Sequence, residues 1–166
     1  MQSSPKKYLG LDLGKKLGYA ACQDGKIMVS GTLLLSKNPN DPVGKRYATF
    51  EAFLSKVALG VDGIYYEVVN SHGQWNTSLE TYHGLLAILQ KFQYFSHVPI
   101  TGIHLIHLKK AFTGNAKAKK HDMCAKAHEL GWIGGRLGTD KDDDEADACA
   151  ALIVGMRETK DTIVTF

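Results

Sequence analysis

Hydrophobic positions along the chain change period several times, and each change marks an element. Residues 7–13, KYLGLDL, form a short apolar run ending at Gly14. LGYAACQ at 17–23 follows and stops at Asp24-Gly25, a pair that favours a tight hairpin turn. KIMVSGTLLL at 26–35 supplies a third strand, and SKNPNDP at 36–42 is rich in turn formers. The period then lengthens. Tyr47, Phe50, Phe53, Leu54 and Val57 recur at helical spacing within 43–59. VDGIYYEVV at 61–69 predicts a fourth strand. A helix over 77–96 carries Leu79, Tyr82, Leu85, Leu86, Leu89 and Phe92 on one stripe. ITGIHLIH at 100–107 predicts a fifth strand. A lysine-rich stretch, a helix at 117–130 and a last helix at 143–157 complete the pattern.

This order is three strands, helix, strand, helix, strand, helix, helix. Hairpin strands followed by βαβ alternation predict an α/β fold. Its mixed five-stranded sheet, three antiparallel strands and then parallel ones, is flanked by helices on both faces. The 166 residues make about one domain's length, so a single domain over 1–166 is expected, with no need of a disulfide staple. No apolar run reaches the roughly 18–20 residues of a membrane span, and MQSSPKKYLG lacks the apolar core of a secretion signal. Cys22, Cys124 and Cys149 match no zinc spacing and fit a reducing compartment, so a cytoplasmic protein is expected.

Charge changes the picture. The net value of +3 comes from 20 Lys+Arg against 17 Asp+Glu. Residues 140–147, DKDDDEAD, hold six acids and one base; setting them aside leaves 19 bases and 11 acids, or +8, on the rest. A basic body favours polyanions such as nucleic acid, and an acidic spot favours hard cations such as Mg²⁺. A solvated acidic loop on a basic protein is the plainer alternative.

Carboxylates have three places to meet. In the first strand, alternation sends Leu9, Leu11 and Leu13 to one face and Tyr8, Gly10 and Asp12 to the other. Asp12 thus stands apart from the leucines, between two glycines, Gly10 and Gly14, that leave room for a ligand; a hairpin-opening Asp-x-Gly turn explains the same residues. Glu67 ends the apolar stretch IYYEVV, where burying a carboxylate without a partner is costly; the alternative is a strand end facing solvent. Neighbouring parallel strands would set Asp12 and Glu67 side by side at their C-terminal ends, where open α/β sheets place their sites. Asp144 and Asp147 share one face of the last helix's first turn. Their mutual repulsion invites a divalent ion, although capping and solvation also account for them, and for Asp142, Asp143 and Glu145.

GLDLG at 10–14, YYE at 65–67, LKKAFTGNAKAKKHDM at 108–123 and DEADA at 144–148 occur in that order. Together they resemble the RuvC-type Holliday junction resolvases of the RNase H-like superfamily. The resemblance spans nearly the whole chain, and the loop after Glu67 looks more like the phage-encoded branch. It implies a metal site in which Asp12 is the first-strand ligand, Glu67 the fourth-strand ligand, and Asp144 and Asp147 the final pair. It further implies that Lys109 and Lys120 lie near the scissile phosphate and that Gly114 makes the family's turn, while Ala116 stands where a second glycine is common. Lys110, Lys117 and Lys119 are expected to attract DNA phosphates. Family members carry an aromatic three residues past the glutamate; here that position is Asn70. Trp75, and then His72, are the candidates to replace it at the junction. Resolution of two symmetric strands implies a homodimer acting on four-way or other branched DNA.

The chemistry stands beside the resemblance. Two Mg²⁺ ions, with Mn²⁺ able to substitute, activate a water and relieve charge on the leaving oxygen of a phosphodiester. Asp12, on the rigid central strand, is the choice for bridging ligand. Lys109 or Lys120 would stabilise charge developing on phosphorus-bound oxygen. His104, His107, His121 and His128 show no ligand spacing. The expected activity is thus a Mg²⁺-dependent, junction-resolving endodeoxyribonuclease of recombination and repair, in a bacterial or phage-infected cell. The alternatives are a general branched-DNA or flap nuclease, an RNase H-like or YqgF-type enzyme of the same superfold, and a non-catalytic DNA-binding module. An actin-like or sugar-kinase ATPase shares DLGxxxG but needs a second such domain.

Overall fold

The computed structural model describes residues 4–70, 76–131 and 143–159. Strands β1 (Lys7–Asp12), β2 (Lys16–Gln23) and β3 (Lys26–Leu34) precede helix α1 (Val43–Val57), and strand β4 (Gly63–Val68) leads to α2 (Thr77–Ser96). Strand β5 (Ile100–His104) runs into α3 (Leu105–Thr113), followed by α4 (Lys120–Glu129) and α5 (Asp143–Glu158). The sheet order is β3-β2-β1-β4-β5. β1 pairs antiparallel with β2 and parallel with β4; β2 and β3 are antiparallel, and β4 and β5 parallel. This is the mixed α/β sheet that the pattern predicts.

Alternation along β1 splits the interior into two cores. Leu9, Leu11 and Leu13 join Phe50 and Leu54 of α1 and Leu85 and Leu89 of α2 on one face. Tyr8, Tyr65 and Ile103 join Leu108 and Phe112 of α3, Met123 and Cys124 of α4, and the apolar run 149–154 of α5 on the other. Complete burial of α5 from Ala148 to Ile153 fixes that helix as the centre of the second core. At about 25 cal/mol per Å² of apolar surface, this burial is a leading stabilising term.

Two elements differ from the sequence pattern. The fifth strand stops at His104, because Leu108 and Phe112, four apart, are the residues that reach the core. Apolar Leu105 and Ile106 prolong the strand pattern past the point where the backbone coils into α3. The following helix starts at Lys120 and not at 117. Asn115 accepts the Lys117 backbone N–H at 2.9 Å and holds a turn there. Asp122 accepts the Lys119 N–H at 2.8 Å and caps the helix.

Gly10 and Gly18 do not leave space for a ligand. A β-carbon on Gly10 would stand 2.2 Å from the Ala148 carbonyl oxygen, and one on Gly18 only 1.8 Å from the Asp144 carbonyl oxygen. Both positions are bare so that α5 can lie directly on β1 and β2. The three cysteines are buried and free, and burial pushes the Cys22 thiol up to about 11. Among the described residues no helix is long and apolar enough to cross a membrane.

Gly18→Ala should therefore lift the start of α5 and cost about 1–3 kcal/mol of folding free energy, as overpacking does. Ala21→Gly on the same strand serves as the comparison, since it removes bulk without creating a clash. Urea melts of the two variants test this, and an unshifted midpoint in Gly18→Ala would refute the close-approach account.

Candidate active site

Strand register brings the first two carboxylates together. Gly10 pairs with Tyr65 and Leu11 with Tyr66, so Asp12 comes level with Glu67 where both strands end. Gly10 and Tyr65, two residues earlier on each strand, meet Ala148 and Gly155 of α5. Asp12 and Glu67 therefore face the α5 side of the sheet. Glu67 is buried, at 8% exposure, and does not end its strand in solvent.

Helix α5 brings the other two. The Asp144 carbonyl rests on Gly18, and Gly18 is the β2 partner of Asp12. Asp147 lies one turn further along the same face. Asp12 and Asp147 both feel neighbouring carboxylates. Asp12 is held well above the usual carboxylate range, first by burial and then by the negative charges of Glu67, Asp147, Asp144 and Asp143. Burial pushes Glu67 up to about 7 against the opposing pull of Lys109. Asp147 rises to about 8 through burial and then the charges of Glu67 and Asp143, again opposed by Lys109.

These acids have hard oxygen donors and too little positive charge. Oε2 of Glu67 is buried with no hydrogen-bond partner, an expensive state that a cation would relieve. The donor set therefore suits Mg²⁺ or Mn²⁺. Among the described residues no three His, Cys, Asp or Glu side chains form a finished ligand cage.

Lysines ring the acids. Lys109 on α3 acts electrostatically on both Glu67 and Asp147. Lys120, at the start of α4, donates a hydrogen bond to Asp143, and that bond raises its own pKa. Lys16 contacts Asp144 at 3.0 Å. Lys110, Lys117 and Lys119 are exposed. Trp75 and His72 lie outside the described residues, as do Asp140 and Asp142. Tyr82 is a core residue whose hydroxyl accepts the Val69 N–H at 3.3 Å, while His83 is exposed and edge-on to it. Gly114 makes its turn at φ 82°. His107 pairs with Glu158.

Sequence reasoning passed over Lys16 and assigned Asp143 and Glu145 to capping and solvation. Asp143 is instead bonded to Lys120, and Glu145 accepts the Ser30 hydroxyl at 2.6 Å. Lys16 carried one usable signal. It is two residues before Gly18 on the same strand face, so it points toward whatever Gly18 receives.

No protein-family model matches the sequence, and no curated protein matches it significantly. Solved structures do. Thermus thermophilus RuvC superposes with a TM-score of 0.70 at 16% identity, covering 93% of this chain and 96% of that one. The same protein in complex with a Holliday junction substrate gives 0.70 at 17% identity, covering 92% and 96%. The yeast mitochondrial Holliday junction resolvase Ydc2 gives 0.63 at 14% identity, covering 92% and 79%. The fold is the RuvC fold. At such identities the likeness to RuvC establishes architecture, and the chemistry has to be argued from this chain's own acids and lysines.

Those acids make stability depend on pH. Folded values of about 7 for Glu67 and about 8 for Asp147 lie above their ordinary 4.5 and 3.8. The folded protein thus keeps protons that the unfolded chain has released. Their stabilising contribution is complete below about pH 4 and is lost as pH climbs through about 7–8. In EDTA, the wild type should lose stability between pH 5 and 8.5. The Glu67→Gln/Asp147→Asn double variant should flatten that slope and gain about 1–3 kcal/mol over wild type at pH 8.5. Parallel stability–pH curves for the two proteins would refute the assignment.

Proposed function

We propose that this chain is a single RuvC-type nuclease domain. It would resolve Holliday junctions or related branched DNA by metal-dependent phosphodiester hydrolysis, as a homodimer that nicks symmetric strands. The observation that carries this reading is the buried, partnerless Glu67 Oε2 level with Asp12 under the first turn of α5. A purely structural carboxylate in that place would have a hydrogen-bond donor. Likeness to a RuvC determined with Holliday junction DNA supports the substrate class.

Asp12, Glu67, Asp144 and Asp147 would hold two Mg²⁺ ions, with Mn²⁺ as a substitute. When bound, the ions supply an activated water and charge relief at the leaving oxygen. The chain's own groups do the rest. Lys109 offsets Glu67 and Asp147 electrostatically and is placed to offset the charge of an incoming phosphate as well. Lys120 stands beside the same acids, sensing Asp144 and Asp147 as well as Asp143. Lys110, Lys117 and Lys119, exposed on α3 and the turn into α4, supply sequence-independent attraction to the backbone. Burial around Asp12 and Glu67 keeps bulk water from competing with these fixed charges.

Labelled four-way junction, flap and linear duplex DNA, each with Mg²⁺ or with EDTA, test the reading. The wild type should nick the junction symmetrically in Mg²⁺ and cut nothing in EDTA. Asp12→Asn and Glu67→Gln should lower cleavage at least about 100-fold, the scale expected when metal-dependent stabilisation is removed. Junction binding in gel shifts should survive both changes. Absence of cleavage on all three substrates would overturn the nuclease assignment. Equal cleavage of all three would replace junction resolution by general nicking.

A further inference from the structure

Two lysines outside the carboxylate set reach the first turn of α5 from different elements. Lys120 of α4 bonds Asp143, and Lys16 of β2 contacts the next acid, Asp144, at 3.0 Å. The two pairs differ in their setting. Asp143 lies next to the proposed ligands, whereas Asp144 is itself one of them. Strand β2 therefore meets Asp144 twice. Gly18 takes its main chain, and Lys16, on the same strand face, takes its side chain. Lys16 does this from the first residue of β2, with about half of its side chain in solvent. A lysine in that position can leave and return without disturbing the core.

We propose that Lys16 is a displaceable counter-ion. It neutralises Asp144 in the metal-free protein, and a divalent cation must expel it to use that carboxylate. The inference rests on the metal-dependent reading of the site and adds a residue that tunes it. A carboxylate oxygen engaged by an ammonium is not free to ligate, so each metal-binding event carries the cost of breaking one ion pair. Once expelled, the ammonium stays tethered at the rim of the site and becomes free to meet a DNA phosphate. Lys16 is then a positioning residue that trades one anion for another as the complex assembles.

Isothermal titration of the DNA-free chain with MnCl₂ or MgCl₂ at pH 8 reads this directly. Lys16→Gln should bind the ion about two- to five-fold more tightly, the range set by a partly exposed ion pair, and Lys16→Arg should bind as wild type. The gain should shrink at high salt, where the pair is already screened. Thermal melts in EDTA should show Lys16→Gln below wild type, with the gap closing at saturating Mg²⁺. Unchanged or weaker ion binding in Lys16→Gln, with wild-type binding intact and abolished by Asp12→Asn, would overturn the counter-ion role alone. Absence of any ion binding by the wild type would overturn it together with the metal-dependent reading.

Discussion

Contact between α5 and the bare backbone of β1 and β2 is the constraint on which the site depends. A helix normally stands off a sheet by the depth of its side chains, about 10 Å between the two layers. Here Gly10 and Gly18 remove that spacer, and the carbonyl groups of Ala148 and Asp144 come down onto the strands. Asp144 and Asp147 are thereby brought to the level of Asp12 and Glu67. Any side chain at either glycine would raise the helix and pull its acids away from those of the sheet. The continuous burial of α5 behind this point supplies the force that keeps it seated.

Seating five acids together costs electrostatic energy, and the structure shows how the cost is spread. The deeper three absorb it through raised proton affinity. The outer two, Asp143 and Asp144, absorb it through lysines. The division follows solvent access, since an ammonium is easily kept at the rim and costly to bury. The net charge of +3 thus conceals two opposed parts. One is a basic periphery on α3 and α4, and the other an acidic centre whose members come from opposite ends of the chain.

The mixed sheet, and the meeting of Asp12 with Glu67 once the first and fourth strands adjoin, were legible in the sequence because each rests on local pattern. Period-two alternation places Asp12 opposite the leucines, and a hairpin followed by βαβ units leaves few topologies open. The helix α3 was not legible, because Leu105, Ile106 and Leu108 fit a strand as readily as a helix. Glycine at position 10 was read as room for a ligand, since the sequence does not say which body fills the space. The partners of Asp143 and Asp144 were hidden for a similar reason. Neither Lys120 nor Lys16 is near them in the chain, and ion pairing across such distances leaves no periodic trace. The counterparts proposed for DNA opening, Trp75 and His72, fall outside the described residues.

The chain order of the site also bears on how the protein is made. Asp12 and Glu67 are synthesised early, but their companions Asp144 and Asp147 arrive only with α5. Until then the sheet face bearing Tyr8, Gly10 and Tyr65 has only α3 and α4 to cover it and lacks the helix at the centre of its core, and the acids of the sheet face no others. A growing chain therefore holds half a site and an exposed apolar surface, a state prone to association. Docking of α5 closes both gaps in one event. Burial of the second core and assembly of the carboxylate cluster are the same step, so a chain that has not finished folding is also one that has no complete site.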